Sequence, residues 1–341
     1  MSGRRVVAAA TLACAVAAIG ATLLAQASPA RRILETAFRQ AYDAADWPKA
    51  IEAAERLTLA FPDDPLAHYN LAAVSARGGE LGRGLSALSR SAELGFAHLA
   101  TLRRDEDLDP LRVLPEFAAI VERVEANSAR ALDAFKVEAG RATMLTYLPR
   151  GYTPARPAPL LVALHGTGGR AAEIASVYRR VAQELGAILI APEGVTRSGR
   201  GYTWGRVEEG EYLVERAIAE ARAKHGVDQT RLVLTGFSEG ANLALLCAAR
   251  RPDLYAGVVA IAGVYEHRVA PVPQPAPGGF PRVYVLAGAQ DPDITLIRSG
   301  ANRLEAAGAS VRVKVVDGVG HAFPPNADAE LREAFAFVLG S

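Results

Sequence analysis

The second half of the chain, from about Lys136 onward, alternates short apolar runs with stretches of helical period, and this alternation limits the possible folds most strongly. The runs are rich in Val, Ile and Leu and are bounded by turn residues, as in strands buried on both faces. Such strands alternating with helices predict an α/β fold, a mostly parallel sheet with helices on both faces. The predicted strands are TMLTYLP (143–149), LLVALHG (160–166), AILIAPE (187–193), RLVLTGF (231–237), GVVAIAG (257–263), RVYVLAG (282–288) and VRVKVVD (311–317). The predicted helices are Ala171 to Leu185, Glu211 to Lys224, Glu239 to Arg250 and Thr295 to Ala307.

Polar residues follow four of these strands, at the end where an open parallel sheet binds its ligand. A glycine-rich loop, 165–169, follows LLVALHG, and Ser238 follows RLVLTGF. Asp291 and Asp293 follow RVYVLAG, and His321 follows VRVKVVD. Along the chain the order is serine, aspartate, histidine, and we therefore expect these side chains to meet at one edge of the sheet.

Ser238 stands between Gly236 and Gly240, directly after an apolar run and directly before a helical one. A serine hydroxyl is a weak nucleophile until a base removes its proton, and attack requires its oxygen to stand clear of the backbone. A sharp strand-to-helix turn gives that exposure, and its crowding requires glycine at both flanking positions. The helix that begins near Glu239 would point its free N–H groups at the site. The pattern therefore predicts a nucleophile rather than a polar turn residue.

The stretch GFSEG at 236–240, followed by ANLALLCAARRPDLYAGVVAIAG, resembles the carboxylesterase and phospholipase branch of the α/β-hydrolases. It is also similar to the related secreted feruloyl esterases and polyhydroxyalkanoate depolymerase-like enzymes, and the resemblance covers residues 135–341. The resemblance implies a serine hydrolase that cleaves carboxylic esters through an acyl-enzyme intermediate. Glu239 departs from the pattern, because these relatives commonly have glutamine there, and its carboxylate could repel anionic substrates.

The same resemblance implies a role for each residue at the strand ends. Ser238 would be the nucleophile and His321 its general base, with Asp291 holding the imidazole tautomer and stabilising the imidazolium. Asp293 lies two residues further on and could substitute for Asp291. We prefer Asp291 because GAQD matches the Gly-x-x-Asp spacing that follows this strand in such enzymes.

The loop HGTGG at 165–169 is expected to form part of an oxyanion hole, since its glycines allow backbone N–H groups to turn toward a substrate. By resemblance, the N–H of Thr167 pairs with that of Glu239, while His165 and Gly166 line the substrate site. A glycine-rich loop after a strand could instead hold phosphate. No Gly-Lys-Ser/Thr or Gly-x-Gly-x-x-Gly sequence completes such a motif, so we discount that alternative.

The substrate pocket is less clearly marked in the sequence. Tyr202 and Trp204, in the stretch GRGYTWG, are predicted to line an acyl or aryl pocket, with capping of the core edge as the alternative. The proline-rich stretch 263–280 is too short for a large lid, which predicts an open site. An open site suits a soluble or polymer-borne ester better than a buried lipid chain.

Residues 30–127 are rich in Ala, Leu, Arg and Glu and have apolar residues at helical spacing, so we expect an all-α region. A shift of 34 residues aligns Ala53 with Ala87 and Arg56 with Arg90, which resembles about two tetratricopeptide repeats. Such repeats commonly form a surface for a protein partner. The alternative is that these helices simply pack on the domain that follows.

The first 27 residues have the pattern of an export signal. Arg4 and Arg5 precede an apolar run, and Ala25-Gln26-Ala27 is a small-x-small cleavage site. The alternative is an uncleaved membrane anchor, and either reading predicts a periplasmic or extracellular protein. Cys247 has no partner in the processed chain and is expected in the core.

Composition and the scattered metal-binding residues exclude several classes of function. The chain has 38 basic and 37 acidic residues, and this balance gives no indication of nucleic-acid binding. Its six histidines are scattered without the spacing of a metal site, so we expect no metal and no cofactor. Two alternatives to the esterase are a serine peptidase of the same fold and a non-catalytic repeat protein that binds a partner. A peptidase of this fold usually carries a propeller or cap, for which the helical region is a poor match.

Overall fold

The computed structural model describes residues 29–266 and 279–340 of the 341-residue chain. The chain divides into two compact units, Met1–Ala134 and Phe135–Ser341. The predicted export signal at 1–27 lies outside the described residues. Among the helices that are described, none combines the length and apolarity needed to span a membrane.

The first unit is helical, as predicted for residues 30–127. Asp46 and Asp64 cap the second and third helices by accepting hydrogen bonds from Lys49 N–H at 3.3 Å and from Leu66 N–H at 2.8 Å. A short 3₁₀ turn, Glu106–Leu108, lies between the fifth and sixth helices. The helices are α1 (Pro29–Asp43), α2 (Trp47–Ala60), α3 (Pro65–Arg77), α4 (Leu81–Glu93), α5 (Leu99–Arg104), α6 (Asp109–Arg112) and α7 (Pro115–Ala139).

Helix starts in this unit follow the predicted period. Helices α2 and α4 begin at residues 47 and 81, and helices α3 and α5 begin at residues 65 and 99, so each pair is 34 residues apart. The unit has a core of its own, built around buried residues such as Tyr69, Leu88 and Leu108. Its tetratricopeptide character and its use as a partner-binding surface stay predictions.

The second unit contains a seven-stranded sheet in the order β1-β3-β2-β6-β7-β8-β9. Only the edge strand β1 runs antiparallel to its neighbour, while the other pairs are parallel. The predicted α/β fold with a mostly parallel sheet is therefore confirmed. The strands are β1 (Met144–Tyr147), β2 (Ala158–Leu164), β3 (Ile188–Pro192), β4 (Thr196–Ser198), β5 (Gly201–Thr203), β6 (Val227–Phe237), β7 (Gly257–Ile261), β8 (Arg282–Gly288) and β9 (Val311–Val316).

The register of the sheet brings the carboxyl ends of its central strands to one edge. Leu164 of β2 pairs with Gly236 of β6, and Gly288 of β8 pairs with Val316 of β9. The loops that follow these strands therefore leave from the same side of the sheet. The covering helices are α8 (Ala171–Glu184), α9 (Val207–Lys224), α10 (Glu239–Arg250), α11 (Ile294–Ala306) and α12 (Ala327–Leu339).

Three elements of this unit were not predicted. Strands β4 and β5 form a separate two-stranded hairpin between β3 and α9, and α12 follows the loop that contains His321. Strands β4 and β5 were not predicted because each has only three residues and neither has the apolar run that marks a buried strand. Cys247, expected in the core, is buried in α10, and burial raises the pKa of its thiol well above the usual value.

Candidate active site

Ser238 occupies the turn between β6 and α10. Its backbone has φ 54° and ψ −122°, a conformation that costs a non-glycine residue on the order of 1–3 kcal/mol. A Cβ atom at Gly236 would lie 2.5 Å from the carbonyl carbon of Gly240, and one at Gly240 would lie 2.3 Å from the Leu164 carbonyl oxygen. These close backbone approaches are the physical reason for glycine on both sides of the serine.

The structure brings Ser238, His321 and Asp291 together in one hydrogen-bonded chain. His321 Nε2 lies 2.9 Å from Ser238 Oγ, and His321 Nδ1 lies 2.9 Å from Asp291 Oδ2. An ionised carboxylate only accepts, so Nδ1 of a neutral ring carries the proton and Nε2 accepts the serine hydroxyl proton. The Asp291 side chain is 0% exposed, whereas that of His321 is 33% exposed. A buried acid thus orients an accessible imidazole beside a hydroxyl.

Of the two aspartates considered from the sequence, Asp291 is the one hydrogen-bonded to the histidine. Asp293 N–H donates to Asp291 Oδ1 at 2.9 Å, so Asp293 helps to hold Asp291, and its own position is the N-terminal cap of α11. One cluster in the described part of the chain has side chains close enough together to bind a metal ion. It consists of Asp291, Asp293 and His321. Both ring nitrogens of His321 are already engaged, so an ion there would displace Asp291 or Ser238.

Aromatic rings pack against the imidazole. The rings of Phe237 and His321 have centroids 5.2 Å apart, and Phe237 stacks on Phe323 at 5.0 Å. Phe237 immediately precedes Ser238, and Phe323 lies two residues after His321. Phe237 therefore packs against the imidazole and Phe323 packs against Phe237, and their positions beside the serine and the histidine are the sequence signal that could have found them.

Two backbone N–H groups, those of Thr167 and Glu239, have no hydrogen-bond partner among the described residues. Glu239 is the first residue of α10, where the helix leaves its N–H groups unpaired. Gly166 lies against the serine turn, since a Cβ there would be 3.3 Å from Ser238 Cβ. These two donors are the pair predicted for the oxyanion hole.

The carboxylate of Glu239, flagged in the sequence as a charge beside the nucleophile, is well satisfied. It accepts the hydroxyl of Thr167 at 2.7 Å and the N–H of Trp204 at 3.3 Å. It also accepts the hydroxyl of Thr203. Glu239 therefore links the 165–169 loop to the end of the β4-β5 hairpin.

His165 and Trp204 were predicted to contact substrate, but the structure buries both side chains, at 2% and 3% exposure. Their rings stack with centroids 4.5 Å apart, and Trp204 Nε1–H donates to the His165 carbonyl at 2.8 Å. His165 Nε2 accepts Gly194 N–H at 3.0 Å, which requires a neutral ring, and burial lowers the pKa of His165 accordingly. The prediction for these two side chains is therefore corrected: they support the loop from inside, because stacking and hydrogen bonding already occupy them.

Tyr202, also predicted to contact substrate, is half-buried on the β4-β5 hairpin. Its backbone pairs with the 165–169 loop, since Gly168 N–H donates to Tyr202 O at 2.8 Å and Tyr202 N–H donates to Gly169 O at 3.1 Å. The guanidinium groups of Arg170 and Arg197 lie 5.3 Å and 4.8 Å from its ring centroid. The hairpin therefore adds a short strand to the oxyanion-side loop and brings arginine side chains with it.

Comparisons with known proteins place this unit among esterases. The family described as "Putative esterase" matches residues 139–314. Poly(3-hydroxyalkanoate) depolymerase C of Paucimonas lemoignei is 31% identical over 158 residues, which cover 43% of this chain and 38% of the depolymerase. The "Putative hydrolase MhqD" of Bacillus subtilis is 30% identical over 190 residues, which cover 51% of this chain and 90% of that protein.

Solved structures resemble the chain at lower identity. The crystal structure of esterase PE8 has a TM-score of 0.48 and 20% identity, covering 57% of this chain and 99% of its own. An uncharacterized protein from Bacillus cereus has a TM-score of 0.48 and 20% identity, covering 89% of this chain and 97% of its own. Among curated relatives, the chain spans 38% of the depolymerase and 55% of the "Putative esterase NocK" of Nocardia uniformis subsp. tsuyamanensis.

Proposed function

The chain belongs to this esterase family, and from that premise we propose that it hydrolyses carboxylic esters with Ser238 as nucleophile, His321 as general base and Asp291 as orienting acid. The observation that carries the proposal is the pair of 2.9 Å contacts that joins the serine hydroxyl to the buried carboxylate through the imidazole. The strained, glycine-flanked turn under Ser238 adds support, because it exposes the oxygen that must attack.

The reaction follows from this geometry in two halves. Ser238 Oγ attacks the ester carbonyl carbon while His321 Nε2 takes the hydroxyl proton, and Asp291 stabilises the imidazolium. The tetrahedral intermediate collapses, and the departing alcohol receives the proton from Nε2. Water then attacks the acyl-enzyme and gives a proton to Nε2, and the second tetrahedral intermediate collapses with cleavage of the bond to Ser238 Oγ. Nε2 returns the proton to Oγ, which releases the carboxylic acid and restores the Ser238 hydroxyl.

The developing oxyanion needs donors that are in place before the reaction. The N–H groups of Thr167 and Glu239 are unpaired within the described residues and flank the serine turn, so they are the proposed oxyanion hole. Removing one donor from such a site typically costs about 10²–10³ in rate. The hydroxyl of Thr167 is held by the Glu239 carboxylate at 2.7 Å, which orients the loop that carries the first donor.

Esters fit this chain better than the alternatives of peptide hydrolysis or partner binding alone. The family match and two curated relatives, the depolymerase and the putative hydrolase, support hydrolysis, and the depolymerase is named for a polymer-borne ester. A polymer-borne or soluble ester therefore remains the proposed substrate class. A purely binding function would leave the three-residue chain at Ser238 without a use.

The experiment compares the wild type with Ser238→Ala on a panel of p-nitrophenyl esters and peptide anilides. We expect ester hydrolysis by the wild type, with anilide hydrolysis far slower, and a fall in kcat on the order of 10³ or more in the variant. A fluorophosphonate probe should add to Ser238 in the wild type alone, as read by peptide mass. Full ester turnover by folded Ser238→Ala, or turnover of anilides at the ester rate, contradicts the proposal.

A further inference from the structure

Three arginines gather beside the proposed oxyanion hole, and we call Arg170, Arg197 and Arg200 the basic rim. Arg170 directly follows the 165–169 loop, whereas Arg197 lies on β4 and Arg200 in the hairpin turn before β5. Arg197 is paired across the hairpin with Tyr202, whose backbone is hydrogen-bonded to the 165–169 loop. The basic rim is therefore about one or two strand spacings, roughly 5–10 Å, from the loop that carries the proposed oxyanion donor.

Close packing fixes the rim in this position. A Cβ atom at Gly201 would lie 2.2 Å from the carbonyl oxygen of Gly168, so the hairpin backbone presses directly on the oxyanion-side loop. The Arg170 and Arg197 guanidinium groups lie on the Tyr202 ring, and Arg170 Nε–H donates to the Arg200 carbonyl at 3.4 Å. Guanidinium groups on an aromatic ring keep their N–H donors available for an anion.

The rim charges are not neutralised by neighbouring acids. Among the described residues, no carboxylate lies within the 4.0 Å ion-pair distance of Arg170, Arg197 or Arg200. Other arginines of the same unit do form ion pairs, among them Arg180, Arg206, Arg250 and Arg332.

Three acidic residues near the rim accept hydrogen bonds from backbone N–H or hydroxyl groups. Glu173 accepts Arg170 N–H at 3.1 Å, and Glu193 accepts Ala171 N–H at 2.7 Å. Glu239 accepts the threonine hydroxyls described above. Burial lowers the pKa of the His165 ring. The negative charges of these three carboxylates raise it, but their effect is smaller than that of burial. These carboxylates therefore accept backbone N–H and hydroxyl groups and form no ion pair with the rim, while Arg197 and Arg200 are exposed.

We infer that the basic rim binds a carboxylate that the substrate carries in addition to its scissile ester. This inference rests on the proposed esterase function and narrows it to esters of dicarboxylic or hydroxycarboxylic acids. Guanidinium groups bind carboxylates through paired N–H donors, and an exposed cation is desolvated at little cost. The carboxylate of Glu239 accepts hydrogen bonds from a hydroxyl and a backbone N–H, and it does not pair with the rim arginines.

The test uses two matched pairs of esters. One pair is mono-p-nitrophenyl adipate and its methyl ester, and the other is 4-acetoxybenzoate and its methyl ester, with uncatalysed hydrolysis subtracted. For at least one pair, we expect the wild type to have a higher kcat/KM for the anionic member at low salt. In Arg197→Gln/Arg200→Gln, kcat/KM for that member should fall about tenfold, and for the neutral member less than about twofold.

Arg222→Gln is the matched control, because it makes the same change in charge on an exposed residue in the last turn of α9. Helix α9 leads into β6, so its end lies at the opposite edge of the sheet from Ser238. The control should leave both rates unchanged. Raising the salt concentration to about 0.5 M should shrink the wild-type preference, because the screening length falls well below 10 Å.

The outcomes separate this inference from the proposed function. If the neutral esters are hydrolysed through Ser238 but neither anionic ester is preferred, or if the preference survives in Arg197→Gln/Arg200→Gln, the rim does not bind the substrate carboxylate. If no ester of either pair is hydrolysed, the esterase proposal itself is wrong, and the inference falls with it.

Discussion

Each unit of the protein buries an aspartate among hydrogen bonds, and the two sites differ in what lies beyond the acid. Asp291 in the α/β unit and Asp107 in the helical unit have side chains that are 0% and 1% exposed. Asp107 accepts the Tyr42 hydroxyl at 2.5 Å and lies 3.4 Å from Arg77 Nε. Asp291 instead contacts an accessible imidazole that contacts the hydroxyl of half-buried Ser238.

A structural acid and a catalytic candidate differ in the groups that they contact. Asp107 contacts the Tyr42 hydroxyl and Arg77, and nearby Asp105 accepts the hydroxyl of Tyr69 at 2.7 Å. None of these groups leads to a nucleophile in a strained turn. Burial of a carboxylate is common to both sites, so the accessible histidine and the strained Ser238 carry the distinction.

The largest effect should come from exchanging each acid for its amide. Asp291→Asn should reduce kcat for an activated ester by on the order of 10³–10⁴, because an amide no longer holds the Nδ1–H tautomer or balances the imidazolium. Asp107→Asn should change kcat less than about twofold. Both are measured with p-nitrophenyl esters and circular dichroism, and equal losses of activity in the two folded variants would remove the contrast between the sites.

A smaller effect should come from adding one methyl group to a crowded glycine in each unit. Gly240→Ala places a Cβ 2.3 Å from a backbone oxygen that cannot move freely, and should cost about 3 kcal/mol of unfolding free energy. At Gly84 in α4 the Cβ would lie 3.2 Å from the Ala72 carbonyl oxygen. Gly84→Ala should stay within about 1 kcal/mol of the wild type, because alanine gains helix propensity.

Chemical denaturation of both full-length variants measures this pair. Ester turnover supplies a second readout, since crowding at Gly240 displaces the serine turn, whereas Gly84 lies in the helical unit. Equal destabilisation by the two substitutions would show that the serine turn is no more constrained than an ordinary helix contact.

The smallest effect concerns pH and the helical unit. Burial, followed by the nearby charge of Asp105, raises the pKa of Asp107 to about 6. A raised pKa means that the protonated acid favours the folded state below about pH 4, and this contribution is lost as pH rises through about 6. Asp107→Asn, which cannot ionise, should therefore gain stability relative to the wild type between pH 4 and pH 7, on the order of 1–2 kcal/mol.

Hydrogen exchange in α3 of the full chain, compared between Asp107→Asn and the wild type at each pH, measures this difference. The comparison at matched pH cancels the intrinsic pH dependence of exchange. A constant difference between the two proteins across pH 4 to 7 would mean that Asp107 keeps its charge throughout, held by Arg77.

Much of the fold was readable because its signals are local. The apolar runs predict the sheet strands within one or two residues of their observed bounds, except that β6 begins four residues before the predicted run, at Val227. The glycines around Ser238 predict the serine turn. The β4-β5 hairpin was not predictable in this way, because its strands are short and polar and form only against the 165–169 loop. Tertiary context, not propensity, stabilises such strands.

The order of the seven sheet strands along the chain, the serine between two glycines, and the aspartate and histidine after later strands can be read from the sequence alone. Backbone geometry and residue spacing carry that information along the chain. Only the tertiary structure decided between Asp291 and Asp293, turned His165 and Trp204 inward, and placed Arg197 beside the oxyanion-side loop. Those outcomes depend on which side chains meet across separate strands, and no local pattern specifies a contact between residues far apart in sequence.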